Sequence, residues 1–123
     1  MTQKEFERKV IYKLLDYKSD VFDALKKQFE NAVVSKREFT GHGFFTEYDV
    51  SDQLKHHNIS GEIHDVYAVI GDSVEYGFRL TIEEGKIEAL EAFSFEDEWI
   101  EKYEMVRLEF ARGEERQYTI HYN

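Results

Sequence analysis

YGFRLTIEEGKIEALEAFSF, residues 76–95, decides the fold. Phe78, Leu80 and Ile82 alternate with Gly77, Arg79 and Thr81, the period-2 pattern of a half-buried strand. Glu83-Glu84-Gly85-Lys86 then supplies a turn, and Ile87, Ala89 and Phe93 resume the alternation. A two-residue loop at Glu84-Gly85 pairs Ile82 with Ile87, Leu80 with Ala89, Phe78 with Glu91 and Tyr76 with Phe93. It also sets Glu83 opposite Lys86, a favourable cross-strand charge pair. A three-residue loop ending in a Gly85 bulge would shift this register by one. The first register is preferred because it gathers the apolar residues nearest the turn on one face.

Working outward, Gly71-Asp72-Ser73 turns the chain into this hairpin, and EIHDVYAVIG before it reads as a strand. SDQLKHHNISG is a polar connection. VVSKREFTGHGFFTEYDV has no helical period and is rich in β-formers, which predicts strands at about 33–40 and 43–50. Upstream, Phe6, Val10, Leu14, Val21, Leu25 and Phe29 fall near a three-to-four spacing, interrupted at Lys18-Ser19-Asp20, where Ser19 or Asp20 looks like an N-cap. That predicts two helices, roughly 3–17 and 20–32, or one kinked helix. Downstream, EDEWIEKYE reads as a loop or single helical turn, and MVRLEFA and RQYTIHY as a closing hairpin. The sum is a single α+β domain over residues 1–123. One or two N-terminal helices pack on an antiparallel meander of about five to seven strands.

Composition narrows the class. With no Cys, a disulfide scaffold, a thiol nucleophile and a Cys-type zinc site are excluded. The apolar fraction of 41%, with ten Phe and eight Tyr, supports an ordinary core. No apolar run reaches a transmembrane length and no signal-peptide core opens the chain, so a cytoplasmic protein is expected. The net charge of −10 is unevenly spread: +2 over residues 1–38, −5 over 39–82, −7 over 83–104 and zero over 105–123. A surface of that sign repels phosphate backbones and disfavours nucleic acid, while attracting a basic protein.

Certain residues also carry a resemblance. Arg37-Glu38, the run Thr40, Gly41, Gly43, Phe44, Phe45, Thr46, then Gly77, Phe78, Leu80, Gly85, Leu90 and Glu91 resemble a group of small, uncharacterised bacterial proteins. That group shares a Thr-Gly-x-Gly-Phe-Phe-Thr segment and a Gly-Phe-x-Leu…Gly…Leu-Glu hairpin. The likeness covers about residues 21–99 and implies a shared fold and a bacterial origin, without an activity to transfer. It divides the chain into a helical extension at 1–18 and a family-like core at 20–111.

Among individual residues, Glu91 is the anomaly. In the preferred register it lies on the apolar face opposite Phe78, where a lone carboxylate needs a partner. Arg37 is the expected one, since Arg79 projects from the other face. A bulge near Ala89-Leu90 would instead turn Glu91 outward. His42, between two glycines, is a turn residue that a ligand could approach closely. His56 and His57 are adjacent and do not aim at one ion, so neither a metal nor a cofactor is expected. Trp99, among Glu96, Asp97 and Glu98, suits an anchor ringed by charge.

These features predict a non-enzymatic interaction protein that uses an acidic sheet surface, in the manner of an immunity protein blocking a basic effector. The alternative is a small-molecule binder or enzyme with a pocket between helices and sheet, with Glu91, His42, Tyr48 and Tyr67 as its polar groups. A homodimer is expected through the first helix or an unpaired sheet edge.

Overall fold

Thr2 and Ser19 start the two helices. Their hydroxyls accept from the backbone N–H of Glu5 and Phe22, both at 3.1 Å, and so cap α1 (Gln3–Leu14) and α2 (Asp20–Glu30). The computed structural model describes residues 1–95, 103, 106–111, 116 and 118–122. The strands are β1 (Val33–Phe39), β2 (Gly43–Asp49), β3 (Ile59–Ile63), β4 (Val66–Ile70), β5 (Ser73–Glu83), β6 (Lys86–Ser94), β7 (Arg107–Phe110) and β8 (Tyr118–Tyr122). This is the expected α+β class, with eight strands where five to seven were predicted.

The sheet runs β1-β2-β6-β5-β3-β8, with β4 inserted between β5 and β7. It departs from a simple meander because the second neighbour of β2 is β6. The segment read as one strand, EIHDVYAVIG, is broken at His64-Asp65 into β3 and β4, both antiparallel to β5. The closing segments do not form the expected hairpin with each other. Instead β7 pairs with β4 and β8 with β3, end to end along the same edge.

Both helices cover one face. Phe6, Val10, Ile11 and Leu14 of α1, with Phe22 and Leu25 of α2, are buried against Phe44, Phe78, Leu80, Ile82 and Ile87 of the sheet. The apolar stripe of α1 is therefore consumed within the chain, and residues 3–14 belong to the same core as the rest.

The 76–95 hairpin follows the sequence reading near its turn and leaves it four residues later. Glu84 (φ 49°) and Gly85 (φ 78°) form the two-residue loop, a type I′ geometry, with Ile82 opposite Ile87 and Glu83 opposite Lys86. Glu88 is then an extra residue on β6, and the pairing moves to Leu80–Leu90, Arg79–Glu91 and Phe78–Ala92. The bulge sends Leu90 and Ala92 into the core and Glu91 to the opposite face, beside Arg79.

Two polar knots hold the layers together. Gln28, fully buried on α2, donates to the carbonyls of Gly85 (2.8 Å) and Leu54 (2.9 Å) and accepts from the N–H of Ile87 (2.9 Å). At the other end Arg116 donates to Asp65 (Nε–Oδ2 2.8 Å, Nη2–Oδ1 3.1 Å) and to the carbonyls of Leu14 and Asp16. It thereby closes the C-terminus of α1 and lies over the Phe110 ring at 4.3 Å.

Candidate functional site

Gln3 and Glu7 lie one turn apart on α1 and share the face of Val10, Ile11 and Leu14, so the helix carries a carboxylate into the core. Glu7 is 1% exposed. Its Oε2 accepts from Arg37 Nε (2.8 Å), Thr46 Oγ1 (2.7 Å) and Gln3 Nε2 (2.9 Å). Its Oε1 accepts from Arg37 Nη2 (2.6 Å) and Tyr48 Oη (3.3 Å). The donors come from β1 and β2, whose register sets Arg37 opposite Thr46. Five hydrogen bonds from the chain's own donors occupy both oxygens of the Glu7 carboxylate. It is an anchor.

The cluster tunes its neighbours. The hydrogen bond to Glu7 raises the Arg37 pKa above its ordinary value, against the opposing effect of burial. Burial, and then the charge of Glu7, push the Tyr48 hydroxyl far above its ordinary 10.0, so Tyr48 is a neutral donor. Tyr103 donates to Gln3 Oε1 and stacks on Phe6, with ring centroids 4.1 Å apart.

Beside this cluster lies a cavity of about 590 Å³ between α1, the end of α2 and the first hairpin. Tyr12, Phe29, Ala32, Val33 and Val34 supply its apolar wall; buried Glu7 and Tyr48 with half-buried Arg37 its polar end; and Lys4, Arg8 and Glu30 its exposed mouth. Lys4, Arg8 and Tyr12 follow one another at four-residue spacing on α1, and the Arg8 guanidinium sits 5.4 Å from the Tyr12 ring centroid. The volume falls in the range of small-molecule sites.

Of the residues singled out from sequence, Arg37 and Tyr48 meet here. Glu91 does not: Arg37 pairs with Glu7, and Glu91 faces outward on the helix-free side of the sheet. The expected buried carboxylate exists, but on α1. His42 lies exposed in the β1–β2 turn, its N–H on Thr40 Oγ1 at 3.3 Å. Tyr67 is on the helix-free face, its ring 5.8 Å from that of Phe95. Trp99, Glu96, Asp97 and Glu98 lie outside the described residues. Sequence reasoning passed over Gln3 and Glu7, although two polar residues at i and i+4 on an apolar stripe were the available signal. Among the described residues no three His, Asp or Glu side chains converge as metal ligands do.

The helix-free face is acidic and aromatic. Among the described residues its cations each lie within salt-bridge distance of a carboxylate: Lys36 of Glu38 (2.9 Å), Arg79 of Glu62 (3.6 Å) and Arg107 of Glu109 (3.5 Å). Glu47, Glu75 and Glu91 have no cation within salt-bridge distance among the described residues. Phe93, Phe95 and Tyr67 form a patch over Gly77, where a Cβ would stand 2.6 Å from the Phe93 ring.

Comparison with protein-family models, with curated proteins and with solved structures gives no match.

Proposed function

We propose that the chain is a small-molecule-binding protein whose site is the cavity between α1, α2 and the β1–β2 hairpin. The observation that carries this is the cavity itself: about 590 Å³, apolar on one side and ending on the other on a buried carboxylate paired with a half-buried guanidinium. The saturation of Glu7 favours binding over catalysis, because the chain's own donors already occupy both oxygens of this buried acid. A thermal-shift screen of small metabolites tests the reading, with cavity-filling Val34→Trp as control. Ligands are expected to raise the melting temperature of the wild type and not of the variant. A shift that survives Val34→Trp, or no shift with any compound, overturns it.

A second reading has its own support. The helix-free face, where Glu47, Glu75 and Glu91 have no cation partner among the described residues and lie beside Phe93 and Phe95, suits a basic protein partner of the kind an immunity protein blocks. Charge reversal at Glu47 and Glu91 is expected to abolish capture of such a partner from the native host, and unchanged capture ends this reading. The bacterial, cytoplasmic setting is part of the same proposal: the bacterial origin rests on the sequence resemblance, and the cytoplasmic setting on the lack of an apolar run of transmembrane length. Self-association belongs here too. With the α1 stripe buried, we assign it to the edge strand β1.

A further inference from the structure

We infer that the cavity takes a small organic carboxylate with a flat apolar body, seated on the unused edge of Arg37. This rests on the reading of the cavity as a binding site. A guanidinium carries five N–H groups, and Glu7 engages Arg37 side-on through Nε and Nη2 only. The end-on fork, Nη1 and the second hydrogen of Nη2, has no partner among the described residues. Arg37 lines the cavity with its side chain 27% exposed, so that fork is reachable from there. End-on pairing with a second carboxylate is a geometry for which guanidinium is well suited.

The charge around the cavity agrees. The chain carries −10 overall, yet this cavity gathers Lys4, Arg8 and Arg37 against Glu7 and Glu30, a local excess of one positive charge. Glu7 is already matched by Arg37, and neither Lys4 nor Arg8 has a carboxylate within salt-bridge distance among the described residues. Glu30 is the one acid left at the mouth; it is exposed, and its repulsion is screened by water. Tyr12 and Phe29, edge to face at 5.7 Å, give the apolar body a wall of rings.

The experiment is titration of the full chain by two-dimensional amide NMR with phenylacetate and indole-3-acetate, and with the matching neutral amides. The acids are expected to shift the amides of Tyr12, Val34 and Arg37 and to bind at least about tenfold tighter than the amides. That preference should fade with added salt and in Lys4→Gln/Arg8→Gln, whose sites are exposed. Arg37 is tested in Glu7→Gln/Arg37→Met, which removes both charges together, leaves neither stranded, and should abolish the preference for acids. Equal binding of acids and amides overturns the carboxylate inference and leaves the cavity a binding site. No shift at the cavity with either series overturns both.

Discussion

Glu7 and Arg37 meet side-on across 30 residues of chain, Nε to Oε2 at 2.8 Å and Nη2 to Oε1 at 2.6 Å, and so join the first helix to the first strand. The carboxylate is 2% exposed and the guanidinium 27%, so the two ends of the pair respond differently to mutation. Removing Arg37 strands a buried charge, and Arg37→Met should lower stability by about 3–5 kcal/mol. Glu7→Gln/Arg37→Met should recover much of that loss, because no charge is left uncompensated. Urea unfolding of the two single variants and the double variant measures the coupling, and simple additivity would mean that the pair holds nothing together.

Tyr48 gives the cluster a pH signature. Its folded pKa is raised above the ordinary 10.0 by burial and by Glu7. Above about pH 10 the unfolded chain gives up this proton while the folded chain keeps it, so the unfolded state binds fewer protons and stability falls as pH rises. Below the ordinary tyrosine range the contribution is complete. Tyr48→Phe should therefore flatten the alkaline limb of the stability curve, measured by urea unfolding between about pH 9 and pH 11.5. A limb of unchanged slope would place its origin in the other tyrosines.

How far the chain could be read follows from which interactions are local. The Glu84-Gly85 turn was legible because both residues must adopt positive φ, and Gly with a short flanking loop announces that. The bulge was legible only as an alternative, placed near Ala89-Leu90, and the structure sets it at Glu88. Ala89 and Leu90 are adjacent and both apolar, so alternation fits either register, and the choice is made by the core under Leu90 and Ala92. The partner of Arg37 was hidden for the same reason. Glu7 and Glu91 both interrupt apolar patterns, and only the bulge, by turning Glu91 away from the helices, leaves Glu7 on α1 as the carboxylate that meets Arg37. The Asp65–Arg116 pair, 51 residues apart, had no local mark at all.

Gly77 and Phe93 offer a sharper local test. They are cross-strand neighbours, and a Cβ on Gly77 would stand 2.6 Å from two carbons of the Phe93 ring. The ring shields the glycine backbone, the arrangement that makes glycine tolerable inside a strand. Gly77→Ala should cost about 1 kcal/mol in the wild type by displacing the ring. In a Phe93→Ala background it should be neutral or stabilising, because strand propensity then dominates. Equal effects in both backgrounds would mean that the ring is not seated there. Gly85→Ala makes a harsher control, since φ is +78° and its Cβ would meet the His57 carbonyl oxygen at 2.4 Å.

The proposed self-association runs through β1. Deleting residues 1–17 would not isolate an interface at the first helix, because it removes Phe6, Val10, Ile11 and Leu14 from the core. The proposed edge is β1, which pairs with β2 alone among the described residues and leaves apolar surface at its two ends, at Val33 (65% exposed) and Phe39 (54%). The register shift between Val34 and Lys36, and the charges of Lys36 and Glu38, restrict how a second strand can pair there. A short antiparallel contact between two β1 edges, closed by Val33 and Phe39, satisfies both conditions and keeps two-fold symmetry. Sedimentation at micromolar concentration should therefore show a dimer for the wild type and a monomer for Val33→Lys/Phe39→Lys, with both unfolding at similar urea concentrations because the substituted positions are exposed. A monomeric wild type ends the idea, and a dimer that survives both substitutions removes the interface from this edge.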